Sequence, residues 1–144
     1  MTRRRIVLLA AGGTLLAPHV RATPEALQAA IRAFTEGRSP RDGRVQLDIA
    51  PLIDNGNVVP VSISVLSPMS AADHVQRIGL FTELNPQPEV AMFQLGPRSG
   101  RAFVATRMRL ATSQTITALA VLNDGSVWRH RVEVIVTLAA CIEG

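Results

Sequence analysis

The sequence predicts an all-β domain, an immunoglobulin-like antiparallel β-sandwich of about seven strands with one short N-terminal helix in front of it. Three observations predict it. From Val45 onward the apolar residues recur with period two, the mark of strands with one buried face. Turn signals separate these runs at short, regular intervals. The chain is 47% hydrophobic yet holds only four Phe, one Trp and no Tyr, so its core is built of Val, Ile, Leu and Ala. At 144 residues there is material for one domain.

Residues 23–37 predict the helix. Thr23 suits the N-cap, Pro24 the first helical position, and Gly37 the C-terminus. Leu27, Ile31 and Phe34 form one apolar stripe. A loop, Arg38 to Gly43, follows. Val45, Leu47 and Ile49 alternate, as do Val59, Val61, Ile63 and Val65, with Asp54-Asn-Gly56 as the turn between them. Pro60 lacks an N–H, which predicts an edge strand or a bulge there. Residues 75–83 fit a helical spacing and a bulged strand equally well. Ala91, Phe93 and Leu95 alternate after the rigid turn Asn85-Pro-Gln-Pro88. Val104, Thr106, Met108 and Leu110 face one way, with Arg107 and Arg109 opposite. Ile116, Ala118, Ala120 and Leu122 lead through the hairpin turn Asn123-Asp-Gly-Ser126 into the last strand. There Trp128, His130, Val132, Val134, Val136 and Leu138 share a face, so the sandwich is expected over residues 44–138.

The charge balance weighs against nucleic acid. All 15 basic residues are Arg, and the 11 that follow residue 22 are matched by 11 Asp and Glu. That leaves no net basic domain, and few aromatics to stack on bases. Residues 1–22 predict a cleaved export signal: Arg3-Arg-Arg5, a short apolar run over 6–18, then Val20-Arg21-Ala22. The run is too short to span a bilayer. The Arg3-Arg4 pair points to the twin-arginine route, hence to a periplasmic protein with no membrane span after cleavage.

A single cysteine in an oxidising compartment has no internal disulfide partner. Cys141 lies in the tail 139–144, three residues past Leu138, taken as the last core residue. A terminal thiol can enter another protein's active site while its own domain stays outside. Glu143 and the terminal carboxylate make the neighbourhood negative, which disfavours the thiolate, so Cys141 is expected to need a partner rather than act as a catalyst. Other chemistry is weakly signalled. No metal-ligand spacing joins His74 and His130. Asp73-His74 is expected to be a solvated pair, and Arg107 and Arg109 a solvated face that could also hold an anion. Met69, Met92 and Met108 are expected to fill the core.

Taken together, several segments resemble the SoxY family, the carrier subunit of the periplasmic Sox sulfur-oxidation system. They are Asp54-Asn-Gly-Asn-Val-Val-Pro-Val61, Ser67-Pro-Met69, Asp73-His74-Val75, Asn85-Pro-Gln-Pro-Glu-Val90, Ser99-Gly100, Ala105-Thr-Arg-Met-Arg-Leu-Ala111, Asp124-Gly-Ser126 and the strand entering Cys141. The resemblance implies heterodimer formation with a SoxZ-like subunit and a covalent thiosulfate or sulfane adduct on Cys141, with no other cofactor. It also implies three partners: a c-type cytochrome that joins thiosulfate to the cysteine, a thiosulfohydrolase that releases sulfate, and a sulfane dehydrogenase that oxidises the remaining sulfur. The chain itself is then a carrier and not an enzyme. The family tail reads Gly-Gly-Cys-Gly-Gly; here it is Ala139-Ala-Cys-Ile-Glu-Gly144. Alanine is small but stiffer than glycine, and Ile142 and Glu143 add bulk and charge beside the sulfur. The alternative expectation is therefore a diverged partner module of a SoxYZ-type heterodimer without standard thiosulfate carriage.

Overall fold

The computed structural model describes residues 22–140. The expected export signal, apart from Ala22, and the tail residues Cys141 to Gly144 fall outside the described residues. The helix α1 runs Pro24–Thr35, and the Thr23 hydroxyl accepts from the Ala26 N–H as its N-cap. The chain leaves α1 through two left-handed residues, Glu36 and Gly37.

Nine strands follow among the described residues: β1 Arg41–Asp42, β2 Val45–Asp48, β3 Leu52–Ile53, β4 Val59–Val65, β5 Val75–Thr82, β6 Glu89–Gln94, β7 Phe103–Met108, β8 Gln114–Leu122 and β9 Val127–Val136. Two of them, β1 and β3, are two-residue pieces, which leaves the seven longer strands of a sandwich. One sheet has the order β1-β9-β8-β5-β6, with β3 also on β9; the other is β2-β4-β7. The neighbouring pairs are antiparallel except that β1 and β3 run parallel to β9. The two sheets enclose one aliphatic core that includes Val59, Ile63, Ile78, Leu80, Leu110, Ile116 and Leu122.

The ambiguous segment 75–83 is a strand with bulges. Its pairing with β8 shifts between Val75 and Arg77, so Val75 faces Leu122 while Ile78 faces Ala120. One extra residue reverses the alternation and produces the spacing that imitates a helix. A second cause is α1, which packs on the outer face of this sheet. Leu27 and Phe34 meet Phe81, Leu119, Val121 and Val127 there, in a small core of their own. Both faces of β5 and β8 are therefore buried, and Leu119 is as fully enclosed as Ala118.

Three expectations are corrected. Pro60 lies in β4, the middle strand of its sheet, and pairs with Arg107. It is tolerated because β2 ends at Asp48 opposite Ser62, so no strand lies on that side of Pro60. Met92 is 45% exposed, because β6 is an edge strand; Met69 and Met108 do fill the core. Leu138 is 60% exposed and is not a core residue: the core contribution of β9 ends with Val134 and the partly buried Val136.

His130 joins the two sheets. Its Nδ1 accepts the backbone N–H of Leu47, on the free edge of β2, at 2.9 Å. The ring must present an unprotonated Nδ1, so the proton sits on Nε2. Leu47 is buried, so His130→Ala strands its N–H and should cost about 1–3 kcal/mol, measured by denaturant unfolding. A loss below about 0.5 kcal/mol would show that water replaces the imidazole there.

Candidate functional site at the root of the C-terminal segment

Cys141 follows directly on the last described residue, Ala140. The site that can be built from the structure is the seat of that residue. The end of β9 is held on both sides. Val136 donates its N–H to the Ser113 hydroxyl at 2.8 Å. Thr137 donates its N–H to the Ile53 carbonyl at 3.0 Å and its hydroxyl to the Asp54 carbonyl at 3.1 Å. Beyond it, three backbone bonds converge. Gly56 donates to the Leu138 carbonyl at 2.8 Å, Leu110 donates to the Gly56 carbonyl at 2.9 Å, and Ala140 donates to the Leu110 carbonyl at 3.0 Å. The expectation of a three-residue tether beginning at Leu138 is thus revised. The backbone stays anchored through Ala140, and the Cα of Cys141 is one peptide step, ~3.8 Å, further on.

The turn Asp54-Asn-Gly56 holds its half of this seat. The Asn55 side-chain oxygen accepts the Asn57 N–H at 2.9 Å, which tightens the turn around Gly56. A Cβ on Gly56 would lie 2.5 Å from the Leu110 carbonyl oxygen and 3.0 Å from the Ala140 nitrogen. Only glycine lets the three chain segments meet so closely.

Leu110 is held by a buried polar cluster that alternation in the sequence did not reveal. The Asn85 side chain donates to the Arg109 carbonyl at 2.8 Å and accepts the Ala111 N–H at 3.0 Å, bracketing Leu110 on both sides. Gln114 donates to the same Asn85 oxygen at 2.9 Å and accepts the Leu84 N–H at 2.8 Å. The signal for this cluster was present in Asn85-Pro-Gln-Pro88, but a turn is the ordinary reading of such a segment.

The remaining candidates are dispersed. Asp73 takes the Arg44 guanidinium on both carboxylate oxygens at 3.0 and 3.1 Å and the Ser67 hydroxyl at 3.0 Å. His74 Nδ1 lies 3.0 Å from the Ser70 carbonyl. Asp73-His74 is therefore a loop brace that unites the Ser67-Pro-Met69 and Asp73-His74-Val75 segments, not the free solvated pair expected. Arg44 was not singled out in the sequence; its side chain also reaches Trp128, where Arg41 lies 4.4 Å over the ring. In the β8–β9 hairpin, Ser126 donates its hydroxyl and N–H to Asp124, holding that carboxylate below its ordinary range. Arg107 and Arg109 are exposed, as expected of a solvated face. Among the described residues no group of three or more His, Cys, Asp or Glu is placed to hold a metal, and no helix is long and apolar enough to cross a membrane.

Comparison with known proteins places this architecture. The family model described as sulfur oxidation protein SoxY matches residues 31–141, so that Cys141 is the last residue of the match. The solved structure of the sulfur carrier protein SoxY from Chlorobium limicola f thiosulfatophilum is 29% identical with a TM-score of 0.66, covering 81% of this chain and 100% of that one. Superoxide reductase (neelaredoxin) from Ignicoccus hospitalis is 18% identical with a TM-score of 0.58, over 81% of this chain and 95% of its own. Superoxide reductase from Nanoarchaeum equitans is 13% identical with a TM-score of 0.52, over 67% and 95%. These two share the fold alone. No curated protein sequence matches the chain. The match across the sandwich and into the terminal segment gives the assignment: the chain belongs to the SoxY family of sulfur oxidation proteins.

Proposed function

We propose that this chain is a periplasmic sulfur carrier that holds thiosulfate-derived sulfur covalently on Cys141 and presents it to partner enzymes, as one half of a heterodimer with a SoxZ-like subunit. The observation that carries the reading is the family match running to Cys141 itself, at the end of a segment seated by backbone bonds. Loading is an oxidation. The Cys141 thiol and thiosulfate form a sulfur–sulfur bond, giving Cys–S–S–SO3−, one proton and two electrons, and a c-type cytochrome takes the electrons. A thiosulfohydrolase then adds water, releasing sulfate and leaving a persulfide that a sulfane dehydrogenase oxidises further. The carrier contributes the sulfur atom and its placement; the redox and hydrolytic groups belong to the partners.

Mass spectrometry tests this on protein recovered from thiosulfate-oxidising cells. The expected result is a thiosulfonate or sulfane mass on the terminal peptide of the wild-type chain and none on Cys141→Ser, with thiosulfate oxidation lost in that variant. An unmodified thiol in the presence of active partners would overturn carriage. The tail itself favours a second reading. Ala139, Ala140, Ile142 and Glu143 stand at or beside the usual glycines, as they would in a diverged partner module of the heterodimer. In that case Cys141→Ser leaves both SoxZ-like binding and sulfur oxidation intact.

A further inference from the structure

We propose that Gly56 is the positioning residue of the carrier segment: a backbone clamp centred on it sets where the Cys141 thiol leaves the domain. The inference rests on the reading that Cys141 bears the sulfur. Gly56 supplies both of its backbone polar groups, the N–H to Leu138 and the C=O to Leu110, and Leu110 in turn receives Ala140. The three bonds form a chain from one loop to another to the terminal segment, with no side chain among the bonding atoms. Val136, Leu110 and Ala140 all come within 3.1 Å of a Cβ built on Gly56. The clamp therefore has no room for any other residue, and its closure depends on that absence of a side chain.

The clamp gives the Ala139-Ala140 pair a purpose. Glycine before the cysteine would free the arm from its first residue. Alanine restricts the backbone, and a restricted residue is easier to hold in a single hydrogen bond. With Ala140 anchored, the sulfur is delivered at a defined place on the body of the domain, and a partner's active site must come to that place. Opening the Ala140 bond alone would return two residues, Ala139 and Ala140, to the arm and lengthen it by roughly 7 Å. Positioning of this kind is worth large factors in rate, because a misplacement of about 1 Å can cost about 10²-fold.

The test uses the full mature chain with its SoxZ-like partner and two variants. Gly56→Ala closes the space; Ala140→Pro replaces the donor to Leu110 by a ring carbon, beyond the last strand, and keeps the test valid should Gly56→Ala fold poorly. Because Cys141 is the only cysteine, a nitroxide spin label reports on it alone. The expected result is a slow-motion spectrum in wild type and a fast one in both variants. Loading by the cytochrome partner with thiosulfate should fall by about 10²-fold in both, while alkylation by N-ethylmaleimide proceeds at least as fast as in wild type. Folded variants with the wild-type spectrum or the wild-type loading rate would overturn the clamp. A wild-type chain that takes no adduct at all, with the spectra differing as expected, would overturn carriage on Cys141 and leave the clamp as the anchor of the segment.

Discussion

Phe81→Ala should cost about 3–5 kcal/mol and lower the melting temperature by roughly 12–20 °C, at roughly 4 °C per kcal/mol for a domain of this size. Phe81 is fully enclosed on the outer face of the large sheet. It meets Phe34 of α1 edge-to-face, with ring centroids 5.5 Å apart and planes at 74°. The contact joins the two aromatics of this cluster, whose other members are aliphatic, and the helix has few other anchors. Leu27 is buried there, and Arg77 donates to the Phe34 carbonyl at 3.0 Å while its guanidinium lies 5.3 Å over the Phe34 ring. Removing Phe81 leaves a void between helix and sheet that neither side can close, since Gly79 beneath it contributes no side chain. Calorimetry on Phe81→Ala, Phe34→Ala and the double variant checks this. The pair should couple by about 0.5–1.5 kcal/mol. A loss below about 1 kcal/mol in Phe81→Ala would mean that the helix does not depend on this contact.

The same region shows where the sequence was legible and where it was not. Strands with one covered face, such as β2, β4 and β9, announce themselves by alternation, because water on the outer side demands polar residues at every second position. β8 also alternates, but the apolar residues Leu119 and Val121 on its second face carry a signal of their own, namely that something covers it. The cover is the helix placed at the other end of the chain. β5 hides further, since its bulge shifts the phase and its two buried faces remove the polar half of the pattern. The helix itself was legible from Thr23, Pro24 and the Leu27–Phe34 stripe, because caps and stripes are local. The Cys141 site was only half legible. The single thiol near the terminus is plain in the sequence. The seat beneath it is made of backbone atoms from three distant segments, and a backbone hydrogen bond leaves no mark on residue type unless it excludes one. Gly56 is that mark, and in sequence it is indistinguishable from an ordinary turn glycine.

Asn85→Ala should do what Phe81→Ala does not, lowering stability and sulfur loading together. The side chain of Asn85 is buried and makes three bonds: to the Arg109 carbonyl, from the Ala111 N–H and from the Gln114 amide. Alanine removes the partner of the Arg109 carbonyl and of the Ala111 N–H in a nearly closed space, while the Gln114 amide keeps its bond to the Thr112 carbonyl at 3.1 Å. At about 1–3 kcal/mol for each of the two stranded groups, and with partial relaxation, the loss is expected to be about 2–4 kcal/mol. The bonds at Arg109 and Ala111 also fix the peptide units on either side of Leu110, whose N–H and C=O are two members of the clamp. Asn85 is thus the support that holds the support of Ala140. Phe81 packs against the helix on the outer face of the sheet and makes none of the bonds of this network. Well below the melting temperature, Phe81→Ala should therefore load at the wild-type rate, and Asn85→Ala should load at least about tenfold more slowly. The comparison is made at equal fractions folded, so that stability alone cannot separate the two. Equal loading by both variants would show that the position of Leu110 does not matter to delivery. It would place the determinant of arm geometry beyond Ala140, in the residues that flank the cysteine.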